Sequence, residues 1–479
     1  RLGVCTHPDR AYYSKKCVDL LPIIGARYMR FGMVKEPMEN SNGTFSMKNG
    51  EEILSAAKEN GCKFVCVLRD KTPPLTPELK TKFINYSRFL LDKYRHVIDK
   101  VEIWNEWTNG TGTYSQYQAQ QTAVNYADLV SSIYPVLKSE YPDVEFIGLG
   151  GINPQRFRND IVDMFAAGAG QNMDAISMHP YRQPKLPESR TRIVKNLTMD
   201  EQILDVVDLA KTYNAPQKVY ITEIGQPGNL MNNGKPDLTQ AHYLVKVLGL
   251  LLASNVVEQI DWYNLYDEDE IGIDSKYTKP EEYEQFHFGL FEGLADNHAV
   301  KTAALAYRFF AKITAGFATG ERYDNGEGFF RLTLRDKTSG ELDIVWDNAN
   351  QSQYRLVSGH KAYDLMGNLI ETQGIIQLTR EPVYIVKSEF SALVDQTIDN
   401  TSLHIYPNPT NEFIRVKLPE SFIDGKTTME IRNISGTLIG KSEALSPETT
   451  LCLKDQPSGF YVVNALNRNV TINGIIIKN

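Results

Sequence analysis

The chain is 479 residues long, 42% hydrophobic and 10% aromatic, with a formal net charge of -8 and a pI near 5.6. That length predicts roughly three domains of a soluble globular protein. The negative charge excludes nucleic acid as a partner, because phosphate binding needs a basic face. The longest apolar run, Val247–Ala253, is far short of a membrane span, so no transmembrane segment is expected. The chain opens on a strand-like Arg1–Thr6 rather than a signal peptide, and reads as a mature or trimmed form.

From residue 1 to about 315, short apolar runs alternate with helical patterns. The predicted strands are Leu2–Thr6, Ala26–Phe31, Lys63–Leu68, Val101–Trp104, Val144–Leu149, Asp174–Met178, Lys218–Thr222 and Glu258–Tyr263. Lys63–Leu68 is nearly all apolar, as expected of a strand covered on both faces. Thr76-Pro77-Glu78 starts a helix, with Thr as N-cap, Pro at the first helical position and an acid in the first turn. Phe83, Tyr86, Leu90 and Tyr94 follow at helical spacing. Further helices are predicted near Ala119–Lys138, Asp200–Thr212, Ala241–Ala253 and Val300–Ile313. Eight strand–helix repeats predict an α/β fold, a (β/α)8 TIM barrel over 1–315. A doubly wound sheet is the competitor, but it usually has fewer repeats and a Gly-rich phosphate turn after strand one.

From about residue 316 the helical spacing gives way to alternating strands: Phe329–Leu334, Leu342–Trp346, Tyr354–Val357, Ile375–Thr379 and Val383–Val386. These predict a small β-sandwich accessory domain over 316–394. A polar linker over 395–402 leads to a second all-β unit over 403–479.

A barrel places its chemistry at the C-terminal ends of its strands. Arg30 is expected to end strand two, Asn105 and Glu106 strand four, His179 and Tyr181 strand six, and Glu223 strand seven. Trp262 and Tyr263 are expected to end strand eight. Glu106 lies between Trp104 and Trp107, and a carboxylate held between aromatic rings loses water, which favours its acid form. Glu106 and Glu223, on opposite strands, are the two carboxylates that glycosidic hydrolysis requires.

Trp104-Asn105-Glu106, His179-Pro180-Tyr181 and Ile221-Thr222-Glu223, in that order, resemble clan A glycoside hydrolases. These are retaining barrel enzymes with the acid/base on strand four and the nucleophile on strand seven. Trp262-Tyr263-Asn264-Leu265-Tyr266-Asp267 and Phe288-Gly289-Leu290-Phe291 are similar to the family 39-like group. Where that group usually has Pro after the strand-four Glu, this chain has Trp107. The resemblance implies Glu106 as acid/base and Glu223 as nucleophile, about 5–5.5 Å apart. It also implies Asn105 on a sugar hydroxyl, Arg30 positioning Glu223, and His179 or Tyr181 on the nucleophile or substrate. Trp262 would floor the cleavage subsite, with Tyr263 and Trp107 also against a carbohydrate substrate. No metal and no cofactor are expected. A barrel that binds glycan without cleaving it is the alternative.

Ile405-Tyr406-Pro407-Asn408-Pro409, Pro457-Ser458-Gly459-Phe460-Tyr461 and the terminal Lys478 resemble the C-terminal sorting domain of the type IX secretion system of Bacteroidetes. That implies the secretion machinery as a partner and a secreted or outer-membrane-surface location. A small adhesive sandwich, such as a carbohydrate-binding module, is the other reading of this unit. The loop Tyr266–Phe288 is expected to wall the cleft, and its acidic run Asp267–Glu270 with Asp274 reads as solvated rather than calcium-binding. Of the five cysteines, Cys62 and Cys66 read as small buried hydrophobes, and Cys5 with Cys17 is the pair left open for a bridge.

Overall fold

The computed structural model describes residues 1–7, 16–47, 51–110, 113–182, 185–191, 195–228, 231–232, 235–236, 238–268, 287–293, 300–337, 340–387, 403–406, 408, 410–418, 422, 427–433, 438–444, 446–457, 459–467 and 470–478. The linker 395–402, most of the loop 266–288 and the acids Asp269, Glu270 and Asp274 lie outside them.

The strands β1 (Leu2–Cys5), β2 (Tyr28–Val34), β3 (Lys63–Arg69), β4 (Ile98–Ile103), β5 (Glu145–Ile152), β6 (Ala175–Met178), β7 (Val219–Ile224) and β8 (Val257–Trp262) close a barrel in chain order. All eight pairings are parallel, with β1 hydrogen-bonded to both β2 and β8. Around them pack α1 (Lys16–Ile24), α2 (Glu51–Glu59), α3 (Pro77–Tyr94), α4 (Ala123–Glu140), α5 (Arg158–Ala166), α6 (Met199–Thr212), α7 (Thr239–Ala253) and α8 (Thr302–Ile313). Helix α3 starts as its sequence dictates, with the Thr76 side chain accepting from the Leu79 N–H at 3.3 Å.

Two layers fill the barrel interior. The lower one is apolar, built from Val65, Ile147, Ala175 and Tyr220 with Tyr28 packed against them. Above it lie polar and equally buried groups: Arg30, Glu102, Ser177, Thr222 and Asp261, with Gln259 lower down, paired with Tyr220. Burying charge is tolerated only where each charge finds a partner, and this polar layer is the floor on which the mouth is built.

Two antiparallel layers follow the barrel. β9 (Phe317–Asp324), β10 (Phe329–Asp336), β11 (Glu341–Asp347), β13 (Lys361–Tyr363) and β15 (Val383–Val386) form one sheet, in the order 9-10-11-15-13. β12 (Gln353–Arg355) pairs with β14 (Ile375–Gln377) in the other. The period-two pattern of β11 explains the docking: Leu342, Ile344 and Trp346 join the barrel core, while Val345 faces the second sheet. A buried Lys246–Glu188 ion pair of 2.8 Å, with Asn348 on both partners, ties this sandwich to the barrel. The sequence reading overlooked β9, whose Gly320 and charged residues break the apolar pattern.

The C-terminal unit has a three-stranded sheet, β16 (His404–Tyr406), β17 (Phe413–Lys417) and β20 (Glu448–Cys452). A four-stranded sheet holds β18 (Thr427–Asn433), β19 (Leu438–Glu443), β21 (Gly459–Asn467) and β22 (Val470–Lys478). Ile414, Val416, Leu453, Val463, Ala465 and Ile476 belong to its own core. All five cysteines are free, so Cys5 and Cys17 are not bridged. No helix of the described residues is long and apolar enough to cross a membrane.

Candidate active site

The pleat alone would not aim the candidate groups into the mouth; breaks in the strands do. On β7, Tyr220 and Thr222 point inward, which would turn Glu223 outward. Between β7 and β8 the register slips, Ile260 facing Ile221 but Trp262 facing Ile224. That extra residue re-aims Glu223 into the mouth, the usual consequence of a bulge beside a site. Beyond β4, Trp104 (φ 74°) and Glu106 (φ 46°) are left-handed, and Leu149 (φ 67°) on β5 is too. Such conformations cost about 1–3 kcal/mol each for bulky residues and collect at functional sites. The Glu106 N–H locks this turn by donating to Gly150 O at 2.5 Å. At Gly151 (φ 67°) a Cβ would stand 2.2 Å from His179 Nε2, so only glycine lets this ring sit there.

Arg30 is the hub. Its Nε donates to Glu102 Oε2 at 2.7 Å, Nη1 to Glu223 Oε2 at 3.0 Å and Nη2 to Asn105 Oδ1 at 2.8 Å. Burial opposes its charge, but Glu102 and Glu223 outweigh that and hold its pKa above the ordinary value. Tyr181 Oη donates to the other Glu223 oxygen at 2.9 Å, and burial together with the Glu223 charge holds this phenol well above its ordinary pKa. His179 is wholly buried. Its Nδ1 lies 3.3 Å from Glu106 Oε1 and 3.9 Å from Glu223 Oε2, and its Nε2 lies 3.1 Å from Thr222 Oγ1. Asn109 Nδ2 donates to Glu106 Oε2 at 3.3 Å. Glu106 and Glu223 each bring an oxygen within 4.8 Å of one another and of a His179 nitrogen.

Several expectations need correcting. Arg30 does not end its strand; it is the third residue of β2, which runs on to Val34. Glu106 is not held between tryptophans. Trp104 and Trp107 stack edge-on with centroids 5.1 Å apart and lie in the barrel–helix core. Trp107 donates Nε1–H to Thr122 O at 2.8 Å and is fully buried, so it offers no surface to a substrate. Trp262 is also fully buried. Gln259 and Asp261 bond to each other inside the barrel at 2.8 Å, so the pleat sends Trp262 out to the helices. Tyr263, one residue on, is also buried, but its ring packs on Phe288, which in turn meets Tyr181. Tyr263 Oη lies 3.3 Å from His7 Nε2 and donates to Glu268 Oε1 at 2.9 Å. Asp267 is not solvated: it is buried, paired with Lys301 Nζ at 3.0 Å, and accepts from the Gly289 N–H.

Sequence reasoning passed over Glu102, although an acid between Val101 and Ile103 in a strand covered on both faces is a signal in itself. It also passed over Thr222, whose Oγ1 donates to Glu102 Oε1 at 2.7 Å. Among the described residues, Glu106, His179 and Glu223 are the one group with the spacing to hold a metal ion. Arg30 and Tyr181 already engage both Glu223 oxygens, and the positive guanidinium 3.0 Å from one of them opposes a cation there.

A cavity of about 180 Å³ opens beside Glu106, lined by Thr108, Asn109, Asn153, Arg156, Phe157 and Tyr181 among others. A larger one of about 860 Å³ lies at the opposite end of the barrel, against Ala26, Cys62 and Arg308. It meets none of the mouth residues, so size does not mark the site here; converging polar groups do.

Residues 404–479 match the family described as "Secretion system C-terminal sorting domain", and a tail of this kind indicates a secreted or cell-surface protein. No curated protein matches the sequence. In fold, the chain is similar to a family 39 glycoside hydrolase from the gut symbiont Bacteroides cellulosilyticus WH2, with TM-score 0.66 and 20% identity over 81% of this chain and 80% of that one. A family 39 beta-xylosidase from Caulobacter crescentus superposes with TM-score 0.55 and 13% identity over 81% and 95% of the two chains. A family 30 subfamily 8 xylanase from Clostridium acetobutylicum follows with TM-score 0.52 and 11% identity over 80% and 95%. At such identities the likeness is one of fold: a closed eight-stranded parallel barrel carrying antiparallel sheets behind it.

Proposed function

We propose that the chain is a secreted glycoside hydrolase that cleaves glycosidic bonds of a carbohydrate with retention, exported through its C-terminal type IX sorting tail. The observation that carries this reading is the pair Glu106 and Glu223, whose oxygens approach within 4.8 Å across the mouth. Carboxyl groups about 5–5.5 Å apart leave no room for a water between nucleophile and sugar, whereas inversion needs about 6.5–9.5 Å. The fold shared with several glycosidases supports the reading from outside the site.

Glu223 is the nucleophile. Arg30 and Tyr181 fix its two oxygens and keep the carboxylate aimed at the anomeric carbon. Glu106 protonates the leaving oxygen, then takes the proton back from the water that releases the sugar. Asn105, its Oδ1 held by Arg30, turns its amide N–H groups towards a sugar hydroxyl. Tyr263 is the aromatic wall of the cleavage subsite, and the small cavity beside Glu106 receives the leaving group.

The test is hydrolysis of a glycan panel by the wild type beside Glu223→Gln, following the product anomer by NMR. Cleavage with retained configuration that disappears in the variant is expected. Inverted product would overturn the mechanism. Binding without cleavage anywhere in the panel would make the barrel a glycan-binding surface protein.

A further inference from the structure

The three buried groups behind Glu106 form a chain whose hydrogen-bond directions can be worked out. Glu102 accepts from Arg30 through Oε2 and from Thr222 through Oε1. A carboxylate is acceptor-only, so the single Thr222 hydroxyl proton lies on the Glu102 side. Thr222 Oγ1 then has only lone pairs for His179 Nε2, 3.1 Å away, and that nitrogen must carry an N–H. In the neutral ring the other nitrogen is bare, and Nδ1 points at Glu106 Oε1 from 3.3 Å. Each direction as far as the Nε2–H follows from the one before it, and the last is that of a ring carrying a single proton.

Resting on the glycosidase reading, we infer that Glu102 and Thr222 are positioning residues that fix the His179 tautomer, so that its Nδ1 lone pair holds the proton of Glu106 in place for delivery to the leaving oxygen. Glu102 and Thr222 touch no substrate; both are fully buried. The chain also suits the return step. Once Glu106 has given up its proton, a lone pair and a carboxylate face each other, and Glu106 is pressed to take a proton from the incoming water. Charged groups facing Glu106 include Glu223 from β7, 3.9 Å from the same Nδ1, and Arg156 across the small cavity from the loop after β5. Glu223 would favour a proton on Nδ1, but at 3.9 Å it is beyond hydrogen-bond distance, whereas Thr222 Oγ1 accepts from Nε2 at 3.1 Å.

Two readouts test this. In the full chain labelled with ¹⁵N-histidine, the His179 signals, assigned by their loss in His179→Asn, should show the Nε2–H tautomer at neutral pH. An Nδ1–H tautomer overturns the inference whether or not the chain cleaves glycans. The second readout is a pair of glycosides of whichever sugar the wild type cleaves, one with a sugar leaving group and one with 2,4-dinitrophenolate. The sugar leaving group needs protonation and the phenolate does not. Thr222→Val should lower kcat/KM on the first about tenfold or more, spare kcat/KM on the second, whose first step needs no acid, and be rescued by Thr222→Ser. Equal losses on both substrates, or no loss on either, would sink the role of Thr222. If Thr222→Val does not fold, Glu102→Gln reads the same ratio. Absence of wild-type cleavage would count against the glycosidase reading alone, because the tautomer is measured without it.

Discussion

Glu223 and Glu106 face each other across one mouth, but the chain holds them differently. Glu223 has a guanidinium on one oxygen at 3.0 Å and a phenol on the other at 2.9 Å. Glu106 faces a histidine nitrogen at 3.3 Å and an exposed asparagine amide at 3.3 Å, with no guanidinium at hydrogen-bond distance among these contacts. The tightly held group suits a nucleophile, which must stay ionised and on line. A carboxyl facing a neutral amide and a ring nitrogen suits an acid that releases and recovers a proton. On the proposed mechanism, two identical side chains would thus take different roles from their surroundings.

The sharpest break of this asymmetry comes from Gln at each site. Glu223→Gln should lower kcat by roughly 10⁴-fold or more on every substrate. Glu106→Gln should lower kcat/KM by about 10²–10⁴-fold on glycosides with sugar leaving groups and spare kcat/KM of dinitrophenyl glycosides, whose first step needs no acid. Parallel losses in steady-state assays on both substrate types would erase the distinction. Arg30→Met attacks the tight side from below. It leaves Glu102 buried and unpaired, which should cost about 3–5 kcal/mol in urea unfolding. Glu102→Leu in the same chain should recover much of that stability without restoring kcat.

Tyr181→Phe removes one hydrogen bond to the nucleophile. A bond to a charged acceptor is worth about 1.5–3 kcal/mol, so kcat should fall roughly tenfold to a hundredfold, with the Tm nearly unchanged. The smallest effect concerns Asp261 beneath the mouth. Burial pushes its carboxyl up to about 7, from an ordinary value of about 4. The folded chain therefore binds this proton more tightly than the unfolded one. Its contribution to stability is complete below about pH 4 and is lost as pH rises through about 7. Asp261→Asn keeps the neutral shape, so its Tm should exceed that of the wild type above pH 7 and converge with it below pH 4. A constant gap across that range would refute the burial argument.

Most of the barrel was legible because parallel strands buried on both faces leave apolar runs such as Lys63–Leu68, now within β3. Glu106 and Glu223 were legible as polar residues at strand ends. Their aim was not, since a bulge on β7 and left-handed residues after β4 leave no mark in composition. The Trp262 error has the same origin. A tryptophan looks like a sugar platform, but one step along the pleat separates core from mouth, and the mouth falls to Tyr263. Glu102 went unnoticed because sequence shows a carboxylate's neighbours along the chain, and its partners come from β2 and β7.

Arg30 faces two carboxylates with one positive charge. In the proposed mechanism Glu223 becomes an ester to the sugar and loses its negative charge, and a guanidinium serving that residue alone would be stranded in the barrel. Glu102 prevents this. Arg30 and Glu102 would then be left as a matched pair, so around this guanidinium the covalent state is the balanced one. The free chain carries a surplus negative charge beside Arg30, and on the proposed mechanism the attack of Glu223 would discharge it.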